Sequence, residues 1–126
     1  CPVKASTFES TIHAGVHVIG DAAIANPMPK SAFSANNQAK VCAAAVAALL
    51  RGETLPEPVL INTCYSLVAP NYGISIAAVY HVKDEAIVTV PGSDGISPLE
   101  ASDETRALEA EYTRSWYANI TADTFT

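Results

Sequence analysis

The chain has 126 residues, 49% of them hydrophobic, and a formal net charge of −6 at neutral pH. This length suits one domain and the hydrophobic content is enough to build a core, which excludes an intrinsically disordered protein. The seven Lys and Arg residues are scattered, so no basic stripe is available to neutralise the phosphates of a nucleic acid. The longest apolar run, residues 41–50, falls well short of the roughly 20 residues of a spanning helix, so no membrane span is expected.

Residues 15–31, GVHVIGDAAIANPMPKS, carry the first indication of a binding site. Their β-branched residues predict a short buried strand over Val16–Gly20. Gly20 has no Cβ and would let a bound ligand approach the backbone closely. Asp21 then offers a carboxylate to sugar-like hydroxyl groups. This order suits a flavin site near residues 20–32.

A long helix is predicted to follow this loop. Ser31 is suited to cap its amino terminus, and Gly52 is suited to end it after Arg51 in a left-handed conformation. The unpaired N–H groups and partial positive charge at such a helix start favour electron-rich ligand atoms. An apolar stripe predicts a packed, largely buried helix, and the stripe comprises Ala35, Ala39, Cys42, Val46 and Leu49.

Beyond a proline-containing connector at residues 55–58, the pattern changes from helical to extended. Val59–Leu67 and Tyr72–Val82 are predicted strands because their side chains suit a pleated surface. Lys83–Glu85 can turn into a third strand over Ala86–Val90. The sequence therefore predicts an antiparallel hairpin in this part of the chain.

The last part of the chain is predicted to be a loop followed by a helix. Glycine and proline interrupt residues 91–102, whereas apolar side chains recur every four positions from about residue 103 to residue 119. The predicted apolar face comprises Leu108, Tyr112, Trp116 and Ile120. The acidic residues cluster near the helix start and form no recognisable catalytic pair, so hydrolytic chemistry has no support.

The three cysteines are an odd number and lack Cys-x-x-Cys spacing. They predict neither a disulfide framework nor a zinc site, and no metal is expected. Cys42 lies among alanines and is interpreted as a small buried hydrophobe. Cys64, between Thr63 and Tyr65, is by itself more typical of an inert core residue. Because the chain begins with Cys1 rather than Met, it is expected to be a segment of a longer polypeptide.

Four segments together resemble the carboxy-terminal part of the flavoprotein subunit of flavocytochrome c sulfide dehydrogenase. They are CPVKASTFES, HVIGDAAIANPMPKSAFSANNQAKVCAAAVAALL, INTCYSLVAPNYGISIAAVY and RSWYANITADTF. The strand followed by Gly-Asp occurs in many flavoproteins, whereas INTCYS and APNYGIS are more specific. The resemblance covers nearly the whole chain. It implies a periplasmic enzyme that oxidises sulfide to sulfur or polysulfide and passes electrons through FAD to a c-type cytochrome subunit.

The resemblance also implies a fold of the glutathione reductase type, α/β with an α+β part. Residues 1–54 would supply the last strand and helix of the FAD-binding domain. Residues 55–126 would form an antiparallel-sheet interface domain with a C-terminal helix. No Gly-x-Gly-x-x-Gly occurs here, so the turn that cradles the FAD pyrophosphate is expected upstream. The chain is therefore expected to be an incomplete catalytic unit that needs the upstream part of the flavoprotein.

The resemblance assigns flavin contacts to five residues. Gly20 and Asp21 lie on the second flavin motif of the family, so Asp21 is expected to hydrogen-bond the ribityl chain. Lys30, Ser31 and Ala32 would begin a helix directed at the pyrimidine edge of the isoalloxazine, where negative charge collects on reduction. Simpler interpretations are a turn cap for Asp21 and a solvated loop residue for Lys30.

Cys64 matches the redox-active cysteine of the family, which pairs with a second cysteine in the upstream portion. Its thiolate is expected to exchange sulfur with sulfide-derived species before electrons reach the flavin. Trp116 is expected to line the flavin or to help electrons reach a haem partner, although an aromatic core residue is the simpler interpretation.

Two other functions fit the same residues. A sulfide:quinone oxidoreductase would need a membrane-binding surface near the terminus, which the acidic residues 103–126 disfavour. A non-catalytic interface or docking module would have no redox function. A yellow cofactor bleached by sulfide distinguishes an enzyme from such a module, and a co-purifying cytochrome distinguishes the two enzymes.

Overall fold

The computed structural model of the chain describes residues 1–125. An irregular amino-terminal segment precedes two long helices and a small sheet, which confirms the mixed helical and antiparallel fold class. In chain order the elements are a 3₁₀ turn (Gly20–Ala22), α1 (Ala32–Arg51), β1 (Leu60–Ala69), β2 (Tyr72–Lys83), β3 (Ala86–Thr89), β4 (Gly95–Ile96) and α2 (Asp103–Phe125).

The sheet is antiparallel and has β2 at its centre. β1 pairs with one side of β2, in a register that places Leu60 opposite Tyr80 and Cys64 opposite Ile76. β3 and β4 pair with different parts of the other side of β2. Asp84 and Glu85 both have positive φ, as a two-residue hairpin turn requires. The predicted strands and hairpin are confirmed, while β4 lies in the region predicted as a loop.

Helix α1 begins and ends where the sequence predicts. The side chain of Ser31 accepts a hydrogen bond from the amide of Ser34, and Gly52 adopts a left-handed conformation with φ +66°. The prediction that the helix is largely buried is wrong, because α1 runs beside the edge strand β1 and buries one face. That face comprises Ser34, Gln38, Ala45 and Ala48, whereas Leu50 is 83% exposed.

The predicted strand over Val16–Gly20 is wrong. The amide of Val18 donates to the carbonyl of Phe8 at 2.9 Å, so the segment lies against the preceding loop rather than in the sheet. At Gly20, with φ +67°, the chain enters the 3₁₀ turn. A β-branched sequence favours extended backbone, but a regular strand also needs a row of backbone partners. The described residues therefore contain no last strand of an FAD-binding domain before α1.

The hydrophobic core lies between the amino-terminal segment and one face of the sheet. Phe8 is fully buried there despite a positive φ. The buried cluster comprises Ala5, Phe8, Ala25, Met28, Leu60, Tyr80 and Ile87, and Cys42 is among the half-buried residues packed against it. The interpretation of Cys42 as a small buried hydrophobe is therefore right about its packing against the core but not about full burial.

Helix α2 packs on β2 and extends six residues beyond its predicted end. Arg106 is buried, with its guanidinium 5.0 Å from the ring centroid of Tyr72 and 3.3 Å from the carboxylate of Glu109. The predicted apolar face is wrong in its first half, because Tyr112 is 52% exposed and Leu108 is also exposed. Over residues 1–125, neither helix combines the length and apolar character needed to cross a membrane.

Candidate functional site

The start of α1 is the structural centre of the predicted site. The Ser31 hydroxyl oxygen accepts from the amide of Ser34 at 3.0 Å. The amides of Ala32 and Phe33 have no acceptor among the described residues. Two free N–H groups and the helix dipole suit an electron-rich ligand edge. This end of the helix therefore suits an electron-rich group, and its contact with the pyrimidine side of a flavin stays a prediction.

Gly20 is held against the same helix. Its amide donates to the side-chain oxygen of Gln38 at 2.8 Å. A Cβ at Gly20 would lie 3.4 Å from the Cβ of Ala35, and φ is +67°. Close approach to α1 and a left-handed backbone both favour glycine at this position. The glycine thus has a structural reason within the chain, beside its predicted contact with a ligand.

Asp21 and Lys30 both lie exposed on the loop between Gly20 and α1. Neither side chain forms a hydrogen bond or an ion pair with the other described residues. The gap that they line with Gly20 and Ser31 has a volume of only about 10 Å³, close to that of one water molecule. This loop can therefore present a carboxylate and an ammonium group to a flavin, but it does not enclose an isoalloxazine ring.

Cys64 lies half-buried on β1 and is joined to the start of α1 by hydrogen bonds. The side-chain amide of Asn62 donates to Cys64 Sγ at 3.3 Å. Oδ1 of Asn62 accepts hydrogen bonds from the hydroxyl of Ser31 at 2.6 Å and from the hydroxyl of Ser34 at 2.9 Å. The predicted redox cysteine and the predicted flavin-contacting serine are thus two hydrogen bonds apart.

Asn62 and Ser34 were missed by sequence reasoning. Asn62 lies between Leu60 and Cys64 at the two-residue spacing of one strand face, and it is only 2% exposed. A polar residue on the buried face of a predicted strand needs a partner. That pattern is visible in the sequence, but the partners on α1 are not.

Trp116 lies half-buried where α2 meets α1 and β1. Its ring stacks on Phe33 at a centroid distance of 6.4 Å and contacts the tilted ring of Tyr65 at 5.7 Å. It also borders a cleft of about 460 Å³ between the two helices, which Lys40 and Asp123 line as well. The tryptophan is therefore both a packing residue and part of a surface opening near the start of α1.

The structure thus places four predicted residues around one helix end: Ser31, Ala32, Cys64 and Trp116. Gly20 joins them through Gln38, while Asp21 and Lys30 stand on the adjoining surface. All three cysteines have free thiols, so a disulfide of Cys64 stays a prediction that involves a cysteine elsewhere. Burial raises the pKa of Cys42 above its ordinary value, which disfavours its reactive thiolate. Within residues 1–125 no group of three or more potential side-chain ligands could hold a metal.

A family model described as flavocytochrome c sulphide dehydrogenase, flavin-binding, matches residues 56–125 of the chain. The match begins before β1 and includes Cys64 and Trp116. It lies on the part predicted as an interface domain, and the contacts predicted for Gly20, Asp21 and residues 30–32 stay predictions. The resemblance to this family and its FAD cofactor are confirmed. Since the match covers more than half of the chain, the protein belongs to the flavin-binding family of flavocytochrome c sulphide dehydrogenase.

Proposed function

We propose that the chain is part of a periplasmic flavoenzyme that oxidises sulfide to sulfur or polysulfide and passes electrons through FAD to a c-type cytochrome subunit. The family name supports both the substrate and the cytochrome partner. The observation that carries the proposal is the hydrogen-bonded connection of Cys64 to the start of α1 through Asn62. It connects a thiol to the helix end that is proposed to contact the flavin.

Cys64 is the sulfur-accepting group in this proposal. In the oxidised enzyme it forms a disulfide with a cysteine of the upstream portion. Hydrosulfide forms a new S–S bond to Cys64, and the second cysteine leaves as a thiolate with the electron pair of the broken bond. The product on Cys64 is a persulfide. FAD, when bound, would supply an acceptor for two electrons and a route for their transfer to a haem.

The residues at the start of α1 and in the loop before it would hold the flavin and support its charge. The amides of Ala32 and Phe33 and the ammonium group of Lys30 stabilise negative charge at the pyrimidine edge of the flavin. Asp21 accepts a hydrogen bond from the ribityl chain. These roles rest on the free amides at the helix start and on the two unpaired, exposed side chains. The glutathione reductase type of fold for the complete flavoprotein is part of the same proposal.

Exposed apolar side chains near the site are proposed to contact the upstream part of the flavoprotein. Ile76, opposite Cys64 in the sheet, is 53% exposed, and its neighbour Ile96 on β4 is 70% exposed. Both lie where the amino-terminal segment no longer covers the sheet. Apolar patches of this kind mark contact surfaces. The upstream part would then complete the surroundings of Cys64.

The test is Cys64→Ser in the complete flavoprotein with its cytochrome subunit. We expect sulfide-dependent reduction of the cytochrome to be lost while the flavin absorption bands remain, because serine cannot form a disulfide or a persulfide. Cys42→Ser is the matched control, since it removes a half-buried thiol that lies outside the site. Normal turnover of Cys64→Ser would contradict the proposal.

A further inference from the structure

We propose that Asn62 is a positioning residue for Cys64, which orients its sulfur and supports negative charge on it through an N–H···S hydrogen bond. The inference rests on the proposed function of Cys64 and deepens it. It is carried by the 3.3 Å contact between Asn62 Nδ2 and Cys64 Sγ and by the burial of Asn62.

The helix cap determines which end of the Asn62 amide faces the sulfur. The Ser31 oxygen already accepts from the amide of Ser34. Its hydroxyl hydrogen is therefore free to donate, and the acceptor 2.6 Å away is Oδ1 of Asn62. The Ser34 hydroxyl donates to the same oxygen at 2.9 Å. With two donors on its oxygen, the amide has only its NH₂ group to present to Cys64.

Burial makes this orientation hard to reverse. Ser34 is 1% exposed and Asn62 is 2% exposed. Turning the amide would leave buried hydroxyl hydrogens without acceptors, and such groups are costly in a protein interior. The strand fixes Cys64 two residues from Asn62 on the same face. The sulfur is thus restricted to the side of the strand that faces the start of α1.

When Cys64 reacts as a thiolate, the N–H group of Asn62 holds a charge-assisted hydrogen bond to the sulfur, stronger than one to a neutral acceptor. The anion is the form that attacks disulfides and electrophiles. Asn62 therefore influences the reactivity of Cys64 without itself contacting the substrate.

The test measures alkylation of Cys64 by iodoacetamide at fixed pH in the complete, disulfide-reduced flavoprotein, with each cysteine followed by peptide mass analysis. Asn62→Asp keeps the shape and the two serine bonds but replaces the donor by a carboxylate oxygen that repels an anionic sulfur. We expect alkylation of Cys64 to slow roughly tenfold or more. A purely structural role predicts the opposite sign, because looser packing exposes the thiol and accelerates alkylation.

Asn37→Asp is the matched control. Asn37 also joins α1 to the start of β1, donating to the carbonyl of Val59 at 3.0 Å and accepting from the amide of Ile61 at 3.1 Å. Its substitution removes a donor at the same junction without changing the contact to sulfur. Alkylation of Cys64 should therefore stay within about twofold of the wild-type rate.

Ser34→Ala provides a second, milder variant, because it removes one of the two donors that hold the amide oxygen and keeps the Ser31 cap. It should also slow alkylation, by less than Asn62→Asp. Wild-type or faster alkylation in both variants would overturn the role of Asn62. This assay measures alkylation of Cys64 and not turnover. Its failure is therefore distinct from failure of the proposed function, which is tested by sulfide oxidation in Cys64→Ser.

Discussion

Helix α2 approaches the sheet closely at Gly73, and replacing this glycine by alanine is a direct test of the packing. A Cβ at Gly73 would lie 2.4 Å from the backbone nitrogen of Ala110 and 2.5 Å from the carbonyl carbon of Glu109. Ordinary contacts of a Cβ begin near 3.4 Å, so α2 and β2 must separate by about 1 Å. The obstructing atoms belong to helix backbone and cannot rotate away.

The expected cost follows from this geometry. Overpacking typically destabilises by about 1–3 kcal/mol, and a clash with rigid backbone belongs at the upper end, near 3 kcal/mol. Alanine also reduces the entropy of the unfolded chain, which offsets roughly 0.4–1 kcal/mol. We therefore expect Gly73→Ala to destabilise the docking of α2 by about 2 kcal/mol.

Hydrogen exchange of the α2 amides in the intact flavoprotein is the appropriate measurement, because it reports local opening. A loss of about 2 kcal/mol corresponds to roughly 30-fold faster exchange through local opening. Gly95→Ala is the matched control, since Gly95 also lies in the sheet but a Cβ there meets no atom within 4 Å. If the α2 amides exchange at the same rate in Gly73→Ala and Gly95→Ala, the close contact between Gly73 and α2 does not exist in solution.

Three other substitutions test the electrostatics and the helix ends. The ion pair with Lys40 lowers the pKa of Asp123 below its ordinary value, so the contact is present above about pH 4 and is lost as pH falls through the lowered pKa. Fluorescence of Trp116, the single tryptophan of these 126 residues, should follow this acid transition, and Lys40→Met should abolish the transition; a transition unchanged by Lys40→Met would assign it to another group. Lys30→Ala should lower the flavin potential in a redox titration of the complete enzyme, and an unchanged potential would leave Lys30 as a solvated loop residue. Gly52→Ala should cost about 1 kcal/mol of stability because φ is +66°, whereas an alanine tolerated without cost would show that the helix ends differently.

Local sequence signals account for the parts of the fold that could be predicted. Ser31 and Gly52 determine the ends of α1 through hydrogen bonding and a left-handed backbone, and both act within a few residues. The hairpin after β2 likewise depends on Asp84 and Glu85. These features need no information about distant parts of the chain.

Packing between distant segments accounts for the predictions that were wrong. Val16–Gly20 has strand-forming residues but forms isolated backbone contacts with the loop around Phe8 instead of a regular ladder. On α2, Arg106 is buried between Glu109 and Tyr72, while Tyr112 is exposed. Apolar spacing alone does not reveal which helix face meets a sheet, because small and charged residues also form contact surfaces.

The candidate site also combines residues that could be predicted with a residue whose role depends on packing between distant segments. Cys64 and the start of α1 were predicted from the resemblance to the family, whereas Asn62, which connects them, depends on the meeting of two elements 28 to 31 residues apart in sequence. A buried asparagine indicates that a polar partner exists. Only the fold identifies that partner as the serines of the helix cap.

Cys64 and Tyr65 are neighbours in β1 and point to opposite faces of the sheet, one towards Asn62 and the other towards Trp116. Deleting a single residue between Leu60 and Cys64 would exchange the two faces and carry the thiol to the aromatic side. Extra residues at the β1–β2 turn would leave both orientations intact. Homologues of this protein should therefore tolerate length variation beyond Ala69 but not between the strand start and the cysteine.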